Sequence, residues 1–180
     1  MKIIRTLAGA PLLLCAVLFA GCASPAQPGN MVVNTVVHNG TPHGAVTVRV
    51  TGGHKTDPMW ASQIAGKDFQ TALVESLRKS GIFQSVDADG NAPYRLDVRL
   101  DSLDQPVFGF DITVKLRADW SLSKSQDDNP LWQQPILSEY TATVGDAFAG
   151  IKRLRLADEG AARANIEQGL NKLSAMQLDP

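Results

Sequence analysis

The run Phe108-Gly109-Phe110-Asp111-Ile112-Thr113-Val114-Lys115-Leu116-Arg117-Ala118-Asp119-Trp120-Ser121-Leu122-Ser123 alternates apolar with small or charged side chains along its whole length. At period 2, Phe108, Phe110, Ile112, Val114, Leu116, Ala118, Trp120 and Leu122 share one face of a strand and the polar residues share the other. A long strand with one dry and one wet face belongs to an antiparallel sheet that is covered on one side only. Its neighbours repeat the pattern. Upstream, Tyr94, Leu96, Val98 and Leu100 alternate with Arg95, Asp97, Arg99 and Asp101. Downstream, Ile136, Tyr140, Ala142 and Val144 continue it in a strand that starts as early as Leu131. Asp104-Gln105-Pro106 and Gln126-Asp127-Asp128-Asn129-Pro130 separate the three with turn-forming residues. An earlier strand, Ala45 to Thr51, sets Val46, Val48 and Val50 on one face and is ended by Gly52-Gly53.

Two helices complete the pattern. Phe69, Ala72, Leu73 and Leu77 form the inner stripe of a helix from Lys67 to Ser80, with Gly81 as its left-handed C-cap and Arg78 and Lys79 at its negative end. Asp57-Pro58 suits the opening of a helical turn before it. A second helix, about Arg155 to Ala175, turns Ala162, Ile166, Leu170 and Leu173 inward and Arg163, Glu167 and Lys172 to water. With a short strand after the first helix the order is β-α-β-β-β-β-α. The expectation is a two-layer α+β domain over residues 44–180, a mainly antiparallel sheet covered on one face by two helices.

Composition agrees with one globular domain. Of 180 residues, 44% are hydrophobic and 19% charged, which excludes a disordered or collagenous chain. A formal net charge of −1 lacks the basic footprint that nucleic acid requires.

The first residues read as an address. Lys2 and Arg5 precede an uncharged apolar run that ends Leu18-Phe19-Ala20-Gly21-Cys22. The run spans about 24 Å as a helix, short of the ~30 Å hydrocarbon core, so residues 1–21 read as a signal peptide rather than a permanent span. Leu18 to Cys22 resembles the lipobox of bacterial lipoproteins, with Phe19 where Leu is commoner. That resemblance implies lipidation of Cys22 and cleavage before it, and Ala23 in the following position implies the outer membrane. The alternative is cleavage after a small residue such as Ala23, giving a soluble periplasmic protein. Loss of residues 1–21 leaves 15 basic and 18 acidic side chains, a net charge of −3, and Cys22 as the sole cysteine. Residues 22–43 then read as a spacer, Ala23-Ser24-Pro25-Ala26-Gln27-Pro28-Gly29-Asn30 being linker-like. Met31 to Val37 has strand character and leaves open a hairpin with the next strand.

Chemistry is sparse. No G-x-S-x-G, Walker loop, H-E-x-x-H or C-x-x-C occurs. His38, His43 and His54 lie close enough in sequence to raise a three-histidine zinc site, but each sits within two residues of a glycine and reads more simply as a loop residue. Asp87, Asp89 and Asn91 imitate a calcium loop, yet Ala92 and Val98 stand where that loop needs Gly and Glu. Asp97, Asp101, Asp111 and Asp119 alternate with Arg95, Arg99, Lys115 and Arg117, a pattern of cross-strand ion pairs rather than of a glycosidase carboxylate pair. Catalytic residues, a metal and a cofactor are therefore not expected. Two features remain as partner-binding candidates beside plainer readings: the basic cluster Lys152, Arg153 and Arg155 before the last helix, otherwise a solvated helix entry, and Phe148 in the loop Gly145–Ile151, by default packed under the sheet.

The lipobox, the short polar segment and the β-α-β-β-β-β-α domain together resemble small outer-membrane lipoproteins of Gram-negative bacteria. The chain is similar in plan to the LPS-assembly and penicillin-binding-protein-activator lipoproteins, and Phe69 to Gly81 and Ala157-Asp158-Glu159-Gly160-Ala161-Ala162-Arg163 match a pattern of small lipoproteins. The resemblance implies a non-enzymatic adaptor anchored by lipid on Cys22, facing the periplasm with an envelope protein as partner. A lipid- or small-molecule-binding module, with an apolar cavity between helices and sheet, is the alternative, and an envelope hydrolase or transferase the third.

Overall fold

The computed structural model describes residues 23–57, 61–106, 109–127 and 129–178. The expected signal peptide and Cys22 lie outside the described residues, as do Pro58, Phe108 and Asp128. In chain order the elements are α1 (Pro28–Met31), β1 (Val46–Gly52), α2 (Gly66–Ser80), β2 (Val86–Asp87), β3 (Tyr94–Asp104), β4 (Ile112–Lys124), β5 (Pro130–Ala142) and α3 (Gly150–Ser174). They build the expected α+β fold around one five-stranded sheet, ordered β2-β1-β3-β4-β5.

The sheet is antiparallel across β3, β4 and β5 and parallel where β1 meets β2 and β3. The parallel pairs follow from connectivity. Helix α2 carries the chain back along β1, so β2 and β3 start where β1 started. Leu96, Val98, Val114, Leu116, Ala118, Trp120 and Leu122 are buried under the helices, as their alternation dictates. A bulge at Asp101 shifts the β3–β4 register between Leu100 and Ser102. The open face carries the expected ion pairs: Arg99 with Asp119 at 2.6 Å and Asp101 at 3.4 Å, Arg117 with Asp101 at 3.2 Å, and Arg95 with Asp97 at 2.8 Å. These groups are partly hydrated, so each pair contributes only ~0.2–1 kcal/mol.

Helix α2 packs on β1 and β2, and α3 on β4 and β5, both on the same face. Gly81 ends α2 at φ 68°, the left-handed cap its position demands. Helix α3 approaches the sheet closely because two of its positions lack a side chain. A Cβ at Gly169 would fall 2.4 Å from the Trp120 ring, and one at Gly160 would fall 2.2 Å from the Tyr140 ring. Between them the buried Asn165 accepts from the Trp120 indole at 2.9 Å and donates to the Ile136 carbonyl at 3.0 Å. The polar bonds fix which way the helix lies, and the glycines fix how near.

The structure corrects the reading of residues 22–43. Met31 is fully buried and Ala26, Val32, Val33 and Val36 nearly so. The segment is a strap over α2 and α3, not a free spacer. Asn30 Nδ2 donates to Glu159 at 2.9 Å, the Val33 amide to Ser76 Oγ at 2.9 Å, and Thr35 Oγ1 to Glu167 at 2.7 Å. Met31 to Val37 does not join the sheet, because its apolar residues are drawn onto the two helices instead. Two further details differ. Phe110, Tyr140 and Val144 extend the apolar alternation in sequence but are exposed in space, Phe110 and Val144 beyond the strand ends and Tyr140 within the last residues of β5. Helix α3 begins at Gly150 rather than Arg155, so the basic cluster sits inside its first turns.

The chain enters at one end of the sheet, here the near end, with the β1 and β3 C-termini, the β4 N-terminus and the N-termini of α2 and α3. The strap crosses to the far end, where the His38 amide donates to the Ser80 carbonyl at 2.8 Å.

Candidate functional site

Polar groups that the sequence analysis did not single out gather inside the near end. Asp158 is fully buried on α3 and Glu159 is 2% exposed. Glu159 accepts from the Gln27 amide and from Asn30 Nδ2, both at 2.9 Å, and has Arg155 Nε at 3.6 Å. It therefore clamps the start of the strap onto α3. Gln105, just past β3, donates to Asp158 Oδ1 at 2.7 Å and to the Ser62 carbonyl at 2.8 Å, and it accepts from Gln63 Nε2 at 3.0 Å. Burial pushes the Asp158 carboxyl up to about 7, a rise that hydrogen bonds from Gln105 and Ser62 oppose and the neighbouring Glu159 carboxylate adds to. Ser62 is itself fully buried beside this carboxyl. A serine and a carboxylate sealed in this way are out of a substrate's reach, so the cluster reads as a structural knot. The signal for Asp158 was available: it lies four residues before Ala162 and prolongs the inner stripe of α3.

Outside this knot the near end exposes two phenylalanines among charged residues. Phe148 is 93% exposed and Phe110 87%. They belong together because Ile112 pairs with Ala142, so the segment before β4 and the segment after β5 leave the sheet side by side. The Phe148 loop is well built. Asp146 Oδ2 accepts from the Thr143 amide at 2.7 Å and from its hydroxyl at 2.9 Å, which holds this exposed carboxyl below the usual range. Ala147 is buried. Arg153 then turns back from the first turn of α3 and donates to the carbonyls of Ala147 at 2.8 Å and Phe148 at 2.6 Å. With the backbone held on both sides, the Phe148 ring is left pointing outward.

The partner-binding candidates thus separate. Phe148 and Lys152 are exposed. Arg153 is buried and spent on loop carbonyls, and Arg155 is half-buried beside Glu159. Neither arginine is available for the surface role its sequence position suggested. Phe110, missed as a site residue because it prolonged the β4 alternation, joins Phe148.

The histidines do not converge. His38 and His43 stack at the far end with centroids 5.3 Å apart, whereas His54, donating its amide to the Ile64 carbonyl, is at the near end. His43 is buried, and burial together with His38 lowers its pKa. Among the described residues no group of three His, Cys, Asp or Glu side chains could hold a metal ion. Among the described residues no helix is long and apolar enough to cross a membrane. The cavity beside Leu100 and Leu116 has about 140 Å³, and open depressions of about 650 Å³ at Ala92 and Ser125 and about 470 Å³ between α2 and Ala88 are larger.

No protein-family model and no curated protein matches the chain by sequence. Solved structures share its fold. Protein XCC0632 from Xanthomonas campestris, of family DUF330, superposes with a TM-score of 0.57 at 11% identity, over 84% of this chain and 93% of that one. The hypothetical protein CT253 from Chlamydia trachomatis gives 0.50 at 6% identity, over 74% and 94%. A minor lipoprotein from Acinetobacter baumannii gives 0.49 at 11% identity, over 73% and 92%. At such identities the likeness is one of fold.

Proposed function

We propose that the protein is a lipoprotein of the Gram-negative outer membrane, anchored by lipid on Cys22 and facing the periplasm, where it serves as a non-enzymatic adaptor or assembly accessory of an envelope system. On this reading it is similar in role to the LPS-assembly and penicillin-binding-protein-activator lipoproteins. The lipobox supports the anchor. The adaptor role rests on one observation, the open edge of the sheet. Strand β5 is thirteen residues long, has β4 on one side only, and carries exposed Leu131 and Leu137. Such an edge offers backbone donors and acceptors that a partner strand can complete.

Two measurements test the proposal. Alkyne-tagged fatty acid should label the wild-type protein in cells and not Cys22→Ala, and equal labelling would refute the anchor. A photo-crosslinking residue at Leu137 should trap one stoichiometric envelope protein, whereas the same residue at Gln126 should not. Trapping of a defined lipid alone would move the reading to a lipid-binding module.

A further inference from the structure

The near end of the molecule carries its exposed phenylalanines and the start of its chain together. Ala23 is 6% exposed, and Ser24 borders a depression of about 200 Å³ whose other walls are Ile151, Lys152 and Arg155 of α3. Phe148 precedes Ile151 by three residues in the chain, on the loop that leads into α3. Cys22 is covalently joined to Ala23, and consecutive Cα atoms are 3.8 Å apart. Ala23, the residue after Cys22, is packed at the near end, because Glu159 clamps Gln27 there and the Gln63 carbonyl accepts from the Ala26 amide at 3.4 Å. No long spacer holds the domain away from the bilayer.

From this juxtaposition we infer that the near end is a membrane-seating surface: Phe148 and Phe110 enter the interfacial layer of the phospholipid leaflet that takes the Cys22 acyl chains, with Val144 at its margin and Lys152 at the level of the headgroups. The inference rests on the lipid-anchor reading. The chemistry favours apolar seating over charge attraction. Exposed Asp111 and Asp146 stand near the same loops, so Lys152 does not make this end cationic. Aromatic rings on a rigid loop suit an interface where one side is apolar and the other wet. The built loop keeps the Phe148 ring outward in the free protein, so no rearrangement is needed. Seating would also fix orientation: the strands run away from the membrane, and the far end with His43, Phe83 and Tyr94 faces the periplasm.

The test uses the acylated full-length product, reconstituted in vesicles of phosphatidylethanolamine and phosphatidylglycerol. Cys22 is the only cysteine after signal removal, and acylation consumes its thiol. A cysteine introduced as Phe148→Cys, Phe110→Cys or, at the far end, Gln126→Cys then takes a nitroxide label uniquely. Labels at 148 and 110 should show severalfold lower collision with a water-soluble nickel complex and severalfold higher collision with oxygen than the label at 126, with little change between low and high salt. Equal water accessibility at all three positions would overturn the inference while the acyl chain, read by mass spectrometry on the same sample, leaves the anchor standing. Absence of acyl chain on Cys22 would overturn both, and the mass spectrum identifies that case. Shielding of position 148 that appears only when another envelope protein is added would overturn the membrane in favour of a protein contact.

Discussion

The two ends of the sheet treat the same residue type in opposite ways. At the far end Phe83 is 4% exposed, bridged to His43 along the backbone and packed against the rings of His43 at 5.8 Å and Tyr94 at 6.3 Å. At the near end Phe148 is 93% exposed on a loop whose polar groups are internally satisfied. The far end closes an apolar core and the near end presents apolar surface. An exposed aromatic on an ordered loop costs the fold little to keep, so the near-end phenylalanines point outward to something else.

Breaking the far end should have the largest effect. Phe83→Ser leaves a ring-sized void next to the buried His43, and should destabilise the fold by ~3–5 kcal/mol. Denaturant unfolding of the soluble domain checks this. A loss below about 1 kcal/mol would mean that the aromatic stack closes nothing.

The buried knot at the near end comes next, with the opposite sign. Burial raises the Asp158 carboxyl to about 7, while in the unfolded chain it titrates near its ordinary value of 3.8. Between those values the native state holds a proton that the unfolded state has released, so stability from this group falls as pH rises from about 4 to 7 and stays low above. Asp158→Asn keeps an acceptor for Gln105 and removes the titration. It should stabilise the protein by ~2–4 kcal/mol at pH 8 and by progressively less toward pH 4. A pH-independent difference in melting would show that Asp158 does not carry this proton.

Glu159→Gln should cost ~1–2 kcal/mol by weakening charge-assisted bonds to the Gln27 amide and Asn30. Its sharper readout is local. Amide exchange should accelerate in residues 26–33 and not at the far end. Such loosening would restore the free spacer that the sequence suggested and separate the anchor from the domain.

These residues show what could be read in advance. Strands β3 and β4 and helix α2 were legible because each has a strong period over many residues and burial within the element follows it. The strap was not. Its Met31, Val32, Val33 and Val36 have no period of their own, and they are buried only because α2 and α3 stand side by side once folded. The start of α3 was hidden too. Ala149 is its N-cap without a side-chain bond and no acid lies in its first turn, so the usual helix-start signals are missing and Arg153 supplies the connection instead. For Phe148 the sequence offered burial and exposure alike, and the choice is made by hydrogen bonds to backbone carbonyls that no side-chain pattern encodes. Asp158 and Glu159 received no reading of their own, because acids are seldom buried and no partner for them is visible in the sequence.

The smallest expected change in stability is the one that isolates function from fold. Phe148→Ser removes a ring that touches little, and the loop backbone stays tied through Asp146, Ala147 and Arg153 whatever side chain stands at 148. The melting temperature should shift by no more than ~0.5 kcal/mol of stability allows. Any shift is expected to be upward, since a polar side chain replaces apolar surface already in water. Binding of a hydrophobic dye to the native soluble domain should fall at the same time. A clear loss of stability would mean that the ring packs in solution as Phe83 does, and the contrast between the two ends would fail with it. An unchanged fold with less apolar surface would leave one role for the ring, contact with whatever lies beyond the near end of the sheet.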